Sequence, residues 1–296
     1  MSNASQRYAT PRRILLATDL SGRCDRALDR AVLLAVEWNA ALVVVHALEP
    51  DYQTIVEAEH EVPSWRRSST RRMSIAERQV REDLLGRDVP FEVVIEDGTP
   101  TDLVLNVAAE RGCDLIVTGT ARNETFGRFI LGSTVDRLAR RAPVPVLVVK
   151  GRARRPYARV AVATDFSDVS RHALEGAAEL FPASTIALLH GYRPITGGLA
   201  DSRAGDEAGR QSAVDACAGF LAAAALAPER RSAMQIFIES SDIELVVRDF
   251  AEDKGIDLLV IGARGRNPLL DLLLGSTAER LLRSAPCDVL VMRKPQ

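Results

Sequence analysis

Asp257-Leu-Leu-Val-Ile-Gly262-Ala-Arg264-Gly265, followed after nine residues by Gly275-Ser276-Thr277, is the stretch on which the reading of this chain turns. The apolar run 258–261 predicts a strand buried on both faces. Glycines at the end of a strand, with a Ser-Thr pair opening the next helix, are the parts of a phosphate-binding turn. A residue without Cβ lets the backbone approach a ligand, and the free N–H groups of a helix start attract anions.

The same pattern occurs earlier with one member changed. Residues 114–134 contain Asp114-Leu-Ile-Val-Thr-Gly119, then Arg122 in place of the second glycine, then Gly132-Ser133-Thr134. The copies are offset by 143 residues through Asp114/Asp257, Gly119/Gly262, Gly132/Gly275 and Pro143/Pro286. Upstream, Ala17-Thr18-Asp19-Leu20-Ser21 matches Ala163-Thr164-Asp165-Phe166-Ser167 at an offset of 146, and Val43-Val-Val-His46 matches Ala187-Leu-Leu-His190 at 144. Offsets that drift so little imply a duplicated domain with small loop changes. The charged, Gly- and Pro-bearing stretch Lys150-Gly-Arg-Ala-Arg-Arg-Pro-Tyr157 reads as the linker between domains 1–150 and 158–296.

Each half alternates short apolar runs with amphipathic stretches. Strands are expected at 13–17, 42–47, 91–95, 115–118 and 144–149, then at 159–164, 185–190, 234–238, 258–261 and 288–292. Helices fall between them, ending near 39, at 67–86, 101–111 and from 133, and again near 168–181, 206–226, 243–254 and from 276. The fold class is therefore α/β: two tandem domains, each a five-stranded parallel sheet flanked by helices. Ligands in such sheets collect at the carboxyl ends of strands, where strand order reverses. Asp165, His190 and Gly262 stand at such ends despite their distance in sequence. The glycine-bearing loop 192–205 is a candidate lid.

A net charge of -2 gives no sign of a nucleic-acid surface, and no apolar run approaches the roughly 20 residues of a membrane helix. Arg66, Arg67, Arg71 and Arg72 read as a solvated basic cluster. The polar start shows no signal-peptide core, so the cytoplasm is the expected location; Ser2-Asn3-Ala4 is set aside as a tag-like remnant. The four cysteines are scattered without a CxxC pair, which suggests neither zinc nor disulfides, and Cys113 and Cys287 read as small core residues. His46 and His190 end equivalent strands and are expected to share a packing or hydrogen-bond role.

The full spacing Gly262-x-x-Gly265-x9-Gly275-Ser276 resembles the ATP-binding signature of the universal stress protein family, as do the Ala-Thr-Asp-Phe-Ser opening at 163–167 and the Pro-Cys-Asp-Val-Leu-Val ending from 286. The resemblance covers both halves and implies a tandem universal stress protein with Rossmann-like, adenine-nucleotide alpha-hydrolase-like domains. It implies that Asp165 contacts the nucleoside, that Ala163 and Gly191 line the adenine slot, and that Gly262 and Gly265 let the loop close over ribose and phosphates. Gly275, Ser276 and Thr277 would present donors to phosphate, and Arg264 is either a further phosphate contact or a solvated side chain. Ser276 with Glu279 also fits a capping box. The ligand implied is ATP, or ADP or AMP, with or without Mg2+.

In the first half Asp19, Gly119, Gly132 and Ser133 keep the pattern, while Arg122 puts a long side chain where backbone must meet ligand. A weak or vacant first site is expected, with Arg122 filling the phosphate space. The apolar closing strands 144–149 and 289–292 make poor exposed edges, and they are expected to pair antiparallel as an internal pseudo-dimer. A further homodimer and a protein partner stay open. No Walker loop or nucleotidyl-transfer motif occurs, and no general base can be placed beside Asp165. The leading expectation is a nucleotide-responsive stress-response module; the alternatives are a slow ATPase or phosphotransferase and a scaffold with structural nucleotide.

Overall fold

The computed structural model describes residues 9–22, 24–48, 69–120, 124–125, 128–129, 132–193, 202–263 and 274–293. Arg66, Arg67, Arg122, Arg264 and Gly265 lie outside them. The first half carries strands Arg13–Ala17 (β1), Ala41–Leu48 (β2), Phe91–Asp97 (β3), Leu115–Gly119 (β4) and Val146–Val149 (β7). Its helices are Asp25–Trp38 (α1), Ser69–Asp83 (α2), Pro100–Glu110 (α3) and Ser133–Arg141 (α4). A small antiparallel hairpin, Glu124–Thr125 (β5) with Arg128–Phe129 (β6), stands where no strands were expected. The second half carries Arg159–Ala163 (β8), Thr185–Gly191 (β9), Gln235–Glu239 (β10), Leu258–Gly262 (β11) and Asp288–Met292 (β12). Its helices are Asp168–Leu180 (α5), Ser202–Ala223 (α6), Pro228–Ser232 (α7), Ile243–Lys254 (α8) and Ser276–Ser284 (α9).

Within each half all neighbouring sheet strands run parallel, in the order β3-β2-β1-β4-β7 and β10-β9-β8-β11-β12. The halves join where β7 and β12 pair antiparallel, with Val148 opposite Val289, Leu147 opposite Leu290 and Val146 opposite Val291. The antiparallel pairing expected for the closing strands is therefore present, and it fuses two sheets into one of ten strands. Alternation along these strands feeds both faces: Val146, Val148, Val289 and Val291 join one core layer, and Leu147, Val149, Leu290 and Met292 the other. Each fully buried aliphatic side chain of this kind contributes about 1.5–3 kcal/mol.

Two of the repeat's anchors serve this frame. The Asp114 carboxylate accepts the amides of Arg12 and Arg13 at 2.8 and 3.0 Å, and Asp257 accepts those of Ala158 and Arg159 at 3.1 and 2.9 Å. Each aspartate pins the entry of its half's first strand, at the opposite end of the sheet from the strand tips, so the matched Asp upstream of each glycine motif has an architectural role. Helix α6 begins at Ser202, so the loop expected over 192–205 is shorter at its end; residues 194–201 lie outside the described residues. The stretch 150–157 is charged, yet Lys150 and Tyr157 at its ends are buried.

Candidate functional site

In each half strand order reverses between the first and fourth strands, and a cleft opens there at their carboxyl ends. The C-terminal cleft, about 330 Å³, is lined by Ala163, Thr164, Asp165, Ser170, His190, Gly191, Ile243, Ile261, Gly262, Gly275, Ser276 and Thr277 among others. It gathers every described C-terminal residue that the sequence assigned to the ligand: Ala163, Asp165, Gly191, Gly262, Gly275, Ser276 and Thr277. The N-terminal cleft, about 530 Å³, brings together Asp19, Cys24, His46, Thr118, Gly119, Gly132 and Ser133. Both volumes fall in the range of about 300–1,000 Å³ typical of small-molecule sites. The described residues of the first half leave its cleft open; the plug expected of Arg122 falls outside them.

The turn after the first strand is the same in both halves. Phe166 and Leu20 hold the left-handed conformation, at φ 59° and 58°. Such a conformation costs a non-glycine residue about 1–3 kcal/mol, and the flanking side chains offset it. Thr164 Oγ1 accepts the Phe166 N–H at 2.9 Å and Asp165 Oδ1 accepts the Ser167 N–H at 3.0 Å. Thr18 and Asp19 do the same for Leu20 and Ser21, at 3.0 and 2.9 Å. One oxygen of Asp165 is thus committed to its own turn, and the exposed carboxylate stands at the cleft mouth. Ser167 then caps α5 by accepting the Ser170 N–H at 3.3 Å.

The equivalent histidines are fixed in the same way. His190 Nδ1 lies 2.8 Å from Thr164 O and His46 Nδ1 3.0 Å from Thr18 O. A carbonyl only accepts, so Nδ1 carries the proton and Nε2 of the neutral ring is left as an acceptor. Phe166 packs on the His190 ring at 4.2 Å between centroids.

The glycines divide into two kinds. A Cβ on Gly191 would meet Ser241 O at 2.5 Å and Ile243 N at 2.8 Å, and one on Gly262 would meet Val169 Cγ1 at 2.7 Å. These two are required by neighbouring protein. Gly275 is different: a Cβ there would meet nothing within 4 Å, and its φ of -65° and ψ of 151° suit any residue. Among the described residues neither packing nor backbone demands a glycine at that point, where the cleft begins.

Gly275 is the N-cap of α9 and Gly132 that of α4, and neither helix has a side-chain cap. The capping box expected of Ser276 and Glu279 does not form. The helix starts one residue earlier than that motif requires, so Ser276 is already its first residue. The Glu279 carboxylate instead accepts Arg140 at 2.5 Å and Arg283 at 2.7 Å. The first turn of α9 thus meets the cleft with the exposed hydroxyl residues Ser276 and Thr277 and the positive end of the helix.

At the rim, Asp242 caps α8. The Glu244 amide, then Arg193, hold its carboxyl below the usual range. In the other cleft burial pushes the Cys24 thiol up to about 11, which keeps it protonated and unsuited to nucleophilic work. Ser170 and Ile243 were not singled out from sequence. Helical periodicity places them in first turns, but only the sheet topology shows those turns facing the cleft.

The fold and its clefts define a class: a duplicated α/β protein with a ligand-sized cleft at each switch point. The family model described as universal stress protein family matches residues 10–150 and 156–293. The chain belongs to the universal stress protein family, and carries its fold twice. A universal stress protein of Thermus aquaticus is 35% identical over 138 residues, covering 46% of this chain and 97% of that protein. One from Mycolicibacterium smegmatis is 24% identical over 309 residues, covering 96% of this chain and 98% of its own. A solved structure of a functionally unknown protein from Pseudomonas aeruginosa PAO1 matches with a TM-score of 0.66 at 20% identity, over 96% of this chain and 93% of that one. Among the described residues no helix is long and apolar enough to cross a membrane.

Proposed function

We propose that the protein is a nucleotide-responsive module that binds ATP, or ADP or AMP, mainly through domain 158–296, and that occupancy changes its affinity for a protein partner in a stress response. The observation that carries this reading is Gly275: a glycine that nothing among the described residues requires, at the uncapped start of a helix, facing open cleft. An anionic phosphate fits that place, because helix-start amides and two hydroxyls converge there. Asp165, Ala163, Gly191 and the Nε2 acceptor of His190 line the deeper part, where donors of a purine edge or ribose would be received. Gly265 of the same motif would let the loop close over ribose and phosphates, as the family resemblance implies, and Arg264 would be a further phosphate contact or a solvated side chain. Mg2+ would arrive with the phosphates, since no group of three His, Cys, Asp or Glu among the described residues is placed to hold a metal.

Binding is favoured over turnover because one Asp165 oxygen is tied to the Ser167 amide and, among the described residues, no second carboxylate lines that cleft. Denaturing the purified protein and chromatographing the supernatant should release an adenine nucleotide. Calorimetry on stripped protein should then show ATP binding at close to one site per chain. A flat trace with ATP ends this reading, and stoichiometric ADP in a single-turnover assay with Mg2+ moves it to the ATPase alternative.

A further inference from the structure

The two helices that open onto the clefts share a defect at their other ends. Pro143 lies four residues after Ala139, and Pro286 four after Leu282. Proline has no N–H, so the carbonyls of Ala139 and Leu282 lose their ordinary helical donor. In each case the missing donor comes from the opposite half. Lys150, the residue after β7, brings its ammonium to 2.7 Å from both Leu282 O and Ala285 O at the end of α9. Arg293, the residue after β12, donates from Nη2 to Ala139 O at 2.8 Å and also to Arg140 O, at the end of α4.

Lys150 corresponds to Arg293 at the repeat offset of 143, as Ala139 does to Leu282, so the exchange is reciprocal about the β7–β12 seam. Both cations are deep, 1% and 9% exposed. Between the two helices four charges also cross the seam. Arg140 pairs with Asp136 at 2.9 Å and with Glu279 at 2.5 Å, while Arg283 pairs with Glu279 at 2.7 Å and approaches Asp136 at 3.7 Å.

We propose that Lys150 and Arg293 are positioning residues acting in trans: each half supplies the buried cation that sets the anion-facing helix of the other. For α9 the proposal rests on the nucleotide reading above. A nine-residue helix carries a partial negative charge at its C-terminal end, about 13 Å from its start. That charge works against an anion at the start. A cation seated on it cancels the opposition and fixes the helix axis, so that the first-turn amides meet the cleft at one distance.

The test uses the full-length chain and the variants Lys150→Met, Lys150→Gln, Lys150→Arg and Arg293→Met. Hydrogen exchange on ligand-free protein should quicken in 276–284 for Lys150→Met and Lys150→Gln while 133–141 stays protected. Arg293→Met should give the reverse pattern. ATP affinity should fall several-fold, up to about tenfold, in Lys150→Met, with adenosine affinity unchanged. Lys150→Arg should recover most of the loss, and Arg293→Met should leave ATP binding at wild-type strength. Exchange that quickens equally in both helices, or an equal loss for ATP and adenosine, would overturn the proposal. If the wild-type chain takes up no ATP, the nucleotide reading fails, while the crossed exchange pattern still decides whether the cations act in trans.

Discussion

The two clefts share a frame and differ in lining. Both keep the left-handed turn of Leu20 or Phe166, the histidine bonded to a threonine carbonyl, and a glycine N-cap on an uncapped helix. Around that frame Ile261, Ile243, Ser170 and Gly191 in the second half correspond to Thr118, Pro100, Cys24 and Ala47 in the first. The left-handed turn and the histidine–carbonyl bond are fixed by local backbone geometry, and the glycine N-cap is kept although its φ and ψ suit any residue. Of the changed positions, Gly191 is held bare by Ser241 while the others line the cleft. The difference teaches that a strand-tip frame outlasts any one ligand preference. Among the described residues the first cleft, about 530 Å³, is roomier than the second, about 330 Å³.

The sharpest break between the halves lies behind the clefts. Asp288 stands where the first half has Pro145. It accepts the amides of Lys150 and Gly151, both at 2.8 Å, and the Tyr157 hydroxyl at 2.6 Å, with Arg30 at 3.5 Å. Asp288→Ala should cost about 3–5 kcal/mol in urea unfolding, since it leaves Arg30 buried beside no carboxylate. A loss under 1 kcal/mol would mean that water relieves the site.

Gly275→Arg should weaken ATP binding by about 100-fold or more, as an unneeded glycine is replaced by bulk in the cleft, with little change in melting temperature. Gly132→Arg should leave ATP stoichiometry as it is. If Gly132→Arg is the variant that loses binding, the assignment of the clefts must be exchanged.

Burial pushes the Lys150 ammonium down from 10.5 to about 8. The unfolded chain then holds this proton more tightly than the folded one. The corresponding stability is complete above pH 10.5 and is lost as pH falls through about 8. The neighbouring Cys287 and Tyr157 are pushed upward by burial and stay protonated over most of this window. A gain of up to about 3 kcal/mol across the window is expected in wild type and should be missing in Lys150→Arg. Parallel pH–stability curves for the two proteins would refute the assignment.

Gly191→Ala copies Ala47 of the first half into a place where a Cβ meets Ser241 O at 2.5 Å. Overpacking of this kind should cost about 1–3 kcal/mol by chemical denaturation. The reciprocal Ala47→Gly should cost less. The smallest effect is expected from Glu279→Gln, about 0.5–1 kcal/mol, because its partners Arg140 and Arg283 are partly solvated.

Much of this was legible in the chain. Uninterrupted Val/Leu/Ile runs gave the strands, and the near-constant offset gave the duplication, because both are local or periodic signals. The clefts were legible through Asp165, Gly262 and Gly275, since strand-tip residues converge in any such sheet. Three features were misread or missed for physical reasons. Ser276 matched a capping pattern whose register depends on where the helix begins, and Gly275 takes that place. Gly191 and Gly262 line the cleft as read, and packing against Ser241 and Val169 is a second demand on their bareness that the sequence did not show. Lys150 read as linker charge because its partners lie more than 130 residues away. The signal that could have found it was the proline four residues beyond Leu282, which announces a carbonyl in need of a donor.

The antiparallel seam settles a question of proportion. Because β7 and β12 belong to one polypeptide, dilution cannot separate the two pockets, and every molecule carries one of each kind. A self-associating single-domain protein would have to alter both of its pockets with every substitution. Here one pocket can change while its neighbour in the same chain is kept, so two unlike clefts stay paired one to one at any concentration.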